Sequence, residues 1–446
     1  DSRVPVVDML LVWALFLVGL GIMVLIEIDA TKPKYVYSKE SMLNPHRPFA
    51  IKAINLIGRV LDKLGYAYPN LRATPLINKA MKEAGITPDK AKVMPLATYL
   101  PGLKVITNCL EHESELTMIG RLVAQGMIVQ SLRNRFGIDA YHQKHPSAAK
   151  LKVKPPLVIM GMARTGTTFL HGLLAKDPSF RAPKLFELVN PLNNEGKSRE
   201  ERIGEHRKEL DRFFQLAPNF KAFHHVDSKD PEECCVILQQ DMVSQAFSAC
   251  LNCPSYDWWL MEQDLTVAMS HHRKVLQYYQ HAEADFHFDR QWLLKTPQYL
   301  IMLPELLQEY PNAKIVWTHR RPKDVMLSLI SIITKLTGIV SDNNDPKKFA
   351  KQQILTMSRS LSKALIDRKI LDEKGFKKNF VDVQFQDICK DPLGVVRTIY
   401  DHFGKKLDDN TLERMKVYLA SNKRHKHGKP QVHLLHTFGV TDKEID

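Results

Sequence analysis

Residues 157–174 read LVIMGMARTGTTFLHGLL. Four apolar residues run into Gly161, a short polar stretch carries a second glycine at 166, and apolar residues then return at helical spacing. The pattern predicts a strand ending at Met160, a tight loop, and a helix beginning near Thr167. Unpaired N–H groups in that helix's first turn, with the positive end of its dipole, favour an anion. Gly161 and Gly166 let the backbone bend and approach a ligand closely. Thr167 and Thr168 add hydroxyl donors, and Arg164 supplies a charged fork suited to phosphate or sulfate oxygens. A nucleotide-triphosphate P-loop would carry a lysine after its second glycine, where this chain has Thr167.

Two further segments repeat the theme of a cation closing an apolar strand. In WLLKTPQYL (292–300) Lys295 follows a short apolar run and precedes a proline-bounded helix. In PNAKIVWTHRRPKDVMLSL (311–329) Arg320 sits at a strand end, and Ser328 falls about two helical turns beyond it. Ligands of open α/β sheets sit at the C-terminal ends of strands. Arg320 and Ser328 therefore suit a second anionic group, separate from the one at the Arg164 loop. With NFVDVQF (379–385), these strands alternate with helical stretches, which predicts an α/β fold: a P-loop-like three-layer domain around a central parallel sheet.

Upstream the pattern differs. Met9–Ile26 (MLLVWALFLVGLGIMVLI) is uncharged throughout, and as a helix it would span roughly 27 Å against a bilayer core of about 30 Å. It lacks the short apolar region and small-residue cleavage site of a secretory signal, so an N-terminal transmembrane helix is expected. Residues 1–28 are read as this anchor and 29–150 as a linker plus a helical neck or cap. The helices lie in IKAINLIGRVLDKLG (51–65) and HESELTMIGRLVAQGMIVQSLRNRFG (112–137), with Met118, Leu122 and Met127 expected in the core. Lys32, Lys34 and Lys39 follow the apolar run and Arg3 precedes it, a weak preference for a cytosolic C-terminal domain.

The chain has 446 residues and a formal net charge of +14. That balance suits anionic partners, but no nucleic-acid motif accompanies it, so none is expected to bind nucleic acid. The six cysteines are scattered, and CLNC (250–253) without a second pair is weak as a zinc site; no metal is expected.

The order of these motifs resembles the sulfotransferases that use 3′-phosphoadenosine 5′-phosphosulfate. The resemblance rests on xxRxGTTxL, the K-T-P segment, residues 311–329, and VQFQDICKDPLGVVRTIYDHFG (383–404), and it covers about residues 155–440. It is nearest to the branch with an RxGTT loop and more distant from the tyrosylprotein sulfotransferases. It implies a sulfotransferase domain over 151–446, in which Arg164, Thr165, Gly166, Thr167 and Thr168 hold the 5′-phosphosulfate. Arg320 and Ser328 would hold the 3′-phosphate, and Lys295 would stabilise the bridging oxygen as it leaves. KRHKHGKPQ (423–431) would close over the nucleotide near Gly428.

The base stays open between two candidates. Glu187, in FRAPKLFELVNPL (180–192), lies beyond the loop helix, where the tyrosylprotein branch places a glutamate, with three extra residues in the spacing. His224 and His225 are the rivals, because cytosolic sulfotransferases use histidine. The acidic run DPEE (230–233) reads more simply as a helix N-terminus. Aromatic residues over 210–290 (Phe213, Phe214, Phe220, Phe223, Tyr256, Trp258, Trp259, Tyr278, Tyr279), together with the anchor, favour a hydrophobic alcohol, phenol, sterol or lipid as acceptor. A peptide or glycan acceptor, or a nucleotide kinase, is the alternative. A single-pass protein of the endomembranes (ER or Golgi) is expected, and the oligomeric state is open.

Overall fold

The computed structural model describes residues 47, 49–66, 68–87, 96–192, 196–216, 227–283, 289–342, 345–422, 438–441 and 444–445. Met9–Ile26 lies outside them, as do His224, His225 and Gly428. Among the described residues, no helix is long and apolar enough to cross a membrane.

Five strands form one sheet: β1 (Leu157–Gly161), β2 (Phe180–Arg181), β3 (Gln291–Lys295), β4 (Lys314–His319) and β5 (Phe380–Gln384). Their order is β2-β3-β1-β4-β5, and every neighbouring pair is parallel. Four of the five coincide with the apolar runs of the sequence. The fifth, β2, has only two residues, too few to show an alternation. All five residues of β1 are buried, as befits a strand covered on both faces.

The period of two distributes β1 between two cores. Val158 and Met160 join the larger core with Trp292, Leu294, Ile315 and Trp317. Leu157 and Ile159 join the smaller one with Leu293, Val316, Val381, Leu170 and Leu173. The smaller layer holds helices Thr167–Leu174, Pro392–His402 and Asp409–Ser421. The larger holds helices Met118–Lys144, Thr266–Ala282, Leu303–Glu309 and Pro322–Val340. This is the expected three-layer arrangement. The upstream helices share the larger core: Leu76, Leu103, Ile128 and Leu132 are all buried in it.

On helix Met118–Lys144 the buried stripe is displaced from the one expected. Ala124, Ile128 and Leu132 face the core, whereas Leu122 is exposed and Met127 only partly buried. Gly120 explains the rotation, because its backbone lies directly against the carbonyl of Val340 and leaves no room for a side chain. The cysteines are all free thiols, with Cys109, Cys234 and Cys253 buried and Cys389 exposed.

From β1 the chain runs to β2, at the edge beyond β3 on one side, and from β4 it proceeds to β5 on the other. The crevice between β1 and β4 is therefore a topological switch point, where open α/β sheets bind ligands. Gly161 pairs with Thr318 across it. Its φ of +149° disfavours any side chain, and a Cβ there would overlap Thr318 Oγ1 and stand 2.6 Å from the Thr318 carbonyl oxygen. Gly161→Ala is expected to cost about 1–3 kcal/mol of stability. An unchanged urea midpoint would show that the β1–β4 contact yields freely.

Candidate active site

The loop after β1 is built from the inside outward. Thr165 is buried and donates its hydroxyl to the Met162 carbonyl at 2.6 Å, with Thr318 Oγ1 also at 2.6 Å. Its side chain therefore pins the loop to β4, and only its backbone is available to a ligand. Gly166 caps the helix at φ +91°, so that Thr167–Leu174 starts where the sequence predicts. Thr168 is exposed at the first turn, and Thr167 is buried beneath it.

Arg164 adopts φ +71°, a left-handed conformation that a non-glycine residue adopts at a cost. The conformation swings its guanidinium across the crevice, where Nε donates to Ser328 Oγ at 3.0 Å. Its own carbonyl accepts from Arg320 Nη1 at 2.9 Å, and the Arg320 guanidinium lies 4.2 Å above the Phe385 ring. The two groups of residues that the sequence assigns to separate anions thus meet: Arg164 reaches from the loop to the Arg320–Ser328 pair. Lys335, two turns beyond Ser328 on the same helix, joins them. Burial, and then the Arg164 charge, draw its pKa down to about 7.

Lys295 closes β3 with no exposed side-chain surface. Its ammonium donates to Glu233 Oε1 at 2.6 Å and to Thr168 Oγ1 at 3.3 Å, with Glu232 Oε1 4.0 Å away. Burial alone would pull its pKa down, but Glu233 and then Glu232 outweigh that and hold it above the usual lysine value. The backbone N–H of Cys234 donates to the Lys295 carbonyl at 2.9 Å, which ties the acidic turn to the strand end. Lys184, on the other side of that turn through a bridge to Pro231, has its pKa lowered to about 8 by burial and then by Arg181. His171, one turn into the loop helix, is wholly buried, and burial followed by the Lys295 charge lowers its pKa to about 3, so it stays neutral.

Glu187 is placed differently. Its carboxylate has no exposed surface. Oε1 accepts from Arg181 Nη2 at 2.8 Å and Oε2 from the Lys184 backbone N–H at 2.7 Å, and Arg199 stands 3.5 Å away. It caps the short helix Leu185–Val189 and neutralises Arg181, which also binds Glu283 at 2.7 Å. Of the aromatic residues named from sequence, Tyr256, Tyr278 and Tyr279 are buried core side chains whose hydroxyls bind backbone carbonyls. The residues that sequence reasoning passed over are Glu233, Glu232, Lys184 and Lys335. The DPEE run held a signal, two adjacent carboxylates ahead of two cysteines, but nothing in it points to Lys295.

The comparisons with known proteins agree on the class. A model described as the sulfotransferase family matches residues 155–409, and the chain belongs to that family. Among characterised relatives it is similar to the omega-hydroxy-beta-dihydromenaquinone-9 sulfotransferase Stf3 of Mycobacterium tuberculosis and of Mycobacterium bovis. Each is 25% identical over 286 residues, 61% of this chain and 68% of the relative. In fold it is similar to sulfotransferase STF1 of M. tuberculosis, with TM-score 0.70 and 25% identity over 84% of this chain and 97% of that one. STF9 of Mycobacterium avium has a TM-score of 0.73 and 23% identity, covering 85% of this chain and 95% of that one. The protein is accordingly an enzyme, a transferase of the sulfotransferase family.

Lys335 yields a measurable consequence. With a pKa of about 7 it is largely neutral near pH 8, and a dianion at Arg164 would favour its charged form. Binding of 3′,5′-adenosine bisphosphate near pH 8, where its phosphates are already dianionic, should therefore take up protons, and Lys335→Met should abolish that uptake. Calorimetry in Tris and in HEPES reads this as a buffer-dependent enthalpy. If Lys335→Met leaves the uptake intact, the lysine lies outside the field of the bound anion.

Proposed function

We propose that the enzyme transfers the sulfuryl group of 3′-phosphoadenosine 5′-phosphosulfate to a hydroxyl of a hydrophobic, lipid-like acceptor. The observation that carries the donor assignment is the gathering of Arg164, Arg320 and Lys295 at the ends of three adjacent parallel strands, around one helix N-terminus. A ligand with two separated anionic ends fits that array. The loop backbone from Thr165 to Thr168 and the helix N-terminus would receive the 5′-phosphosulfate. Arg320 and Ser328, with the guanidinium of Arg164, would hold the 3′-phosphate. Sulfuryl transfer, like phosphoryl transfer, depends mainly on positioning and on stabilising spread-out negative charge, and these residues supply both.

Calorimetry separates this reading from a nucleotide kinase. 3′,5′-Adenosine bisphosphate should bind more tightly than ATP with magnesium, and Arg320→Ala should weaken it by about 10- to 100-fold, the loss of one or two charge-assisted hydrogen bonds. Equal affinity for the two nucleotides, or an Arg320→Ala variant with its preference intact, overturns the assignment.

A lipid-like acceptor is supported by the relative named for a menaquinone-derived substrate and by features of this chain near its beginning. Uncharged Met9–Ile26 is proposed as a single-pass anchor in an endomembrane. Helix Phe49–Lys63 begins about 20 residues later and exposes Phe49, Leu56, Val60 and, just past its end, Leu64, flanked by exposed Lys52 and Lys63. An apolar stripe edged by lysines is how a helix lies on an anionic lipid surface. Benzoylphenylalanine at 56 and 60, in full-length chain reconstituted into phosphatidylcholine–phosphatidylserine vesicles, should form lipid adducts on illumination. The same probe at exposed Val417, in the smaller layer, should not. Protein–protein adducts alone at 56 and 60 would give the face to a second copy.

A further inference from the structure

We infer that Glu233, not the carboxylate that follows the loop helix, is the group that takes the proton from the acceptor hydroxyl. The inference rests on the sulfuryl-transfer reading above and assigns a role within it. A base for an external alcohol must meet three demands: a carboxylate oxygen the alcohol can reach, proximity to the reacting centre, and freedom to gain a proton without stranding a buried charge.

Glu187 fails the first demand. Its side chain is 0% exposed, and both oxygens are engaged, one with the Arg181 guanidinium and one with a backbone N–H. Glu233 meets all three. Its side chain is 25% exposed, so one face is open to an incoming molecule. Its Oε1 stands 2.6 Å from the Lys295 ammonium, which is itself 3.3 Å from Thr168 Oγ1 in the cradle. The residue is also held in place, because its neighbour Cys234 is hydrogen-bonded to the Lys295 carbonyl. Glu232 remains 4.0 Å from the same ammonium, so Lys295 keeps a counter-charge when Glu233 becomes neutral.

The step balances without any further reactant. The acceptor O–H bond breaks and its proton passes to Glu233 Oε. The acceptor oxygen forms a bond to sulfur, the bond from sulfur to the bridging phosphate oxygen breaks, and that electron pair stays on the phosphate. Lys295 donates a hydrogen bond to the oxygen that receives the charge, and Glu233 later returns its proton to solvent. Lys295 thus serves the leaving side of the reaction and Glu233 the entering side, from positions in contact with each other.

The test exploits acceptor acidity. An aliphatic alcohol needs its proton removed, whereas 4-nitrophenol is substantially ionised at neutral pH and needs little help. Transfer to 1-dodecanol and to 4-nitrophenol is followed with labelled donor on the full-length protein, alongside calorimetry with 3′,5′-adenosine bisphosphate. Glu233→Gln should lose about 100-fold or more with dodecanol and at least about tenfold less than that with nitrophenol, whose remaining loss reads the weakened hold on Lys295. Lys295→Gln should lose transfer to both. An equal loss of both acceptors in Glu233→Gln, or an acceptor-selective loss in Glu187→Gln instead, overturns the assignment. If the unaltered enzyme fails to bind the bisphosphate, the sulfuryl-transfer reading itself falls. If Glu233→Gln unfolds, Glu233→Asp serves: it keeps the charge, and its loss should again fall mainly on dodecanol.

Discussion

An ammonium group without exposed surface is the constraint around which the site is arranged. Removing Lys295 from water costs several kcal/mol unless an anion is close and well placed, and Glu233 at 2.6 Å meets that requirement. The pair fixes more than two side chains. It draws the turn at residues 230–234 onto the end of β3, where the Cys234 N–H completes the attachment. It also brings the larger layer, which carries that turn, against the first turn of helix Thr167–Leu174 in the smaller one. A cation kept charged, next to a carboxylate kept accessible, is the asymmetry that group transfer between two oxygens requires.

Opposite this pair stands a second concentration of like charge. Arg164, Arg320 and Lys335 converge on one mouth of the crevice, and the unusual backbone of Arg164 helps bring them together. Such an array is costly in the free protein and is relieved by an anion. The cost is offset by rigid neighbours: Thr165 locked onto Thr318, and Arg320 packed on Phe385. Preorganisation of this kind is what lets a site stabilise developing charge without rearranging.

Much of this was legible in the residues. Apolar runs gave four strands, because a strand buried on both faces needs an unbroken hydrophobic stretch. Loop chemistry gave the helix start at Thr167 and the cations at the strand ends. What stayed hidden depends on long-range geometry. β2 is shorter than its own period, and the stripe on helix Met118–Lys144 turns on the fit of Gly120 against a distant carbonyl. Local sequence likewise carries no trace of the Glu233–Lys295 contact, which spans 62 residues, nor of Arg164 reaching Ser328. Nor does local sequence show that Glu187 is buried against Arg181 and the Lys184 N–H.

The alternation of β1 between two cores has a mechanical consequence. Leu157 and Ile159 support helix Thr167–Leu174 and the smaller layer, while Val158 and Met160 support the long helices of the opposite layer. One strand therefore couples two surfaces through different side chains, odd positions to one and even positions to the other. The pleat of a five-residue strand thus keeps the packing of the two layers apart, so that a repacked side chain on one face need not be matched by a change on the other.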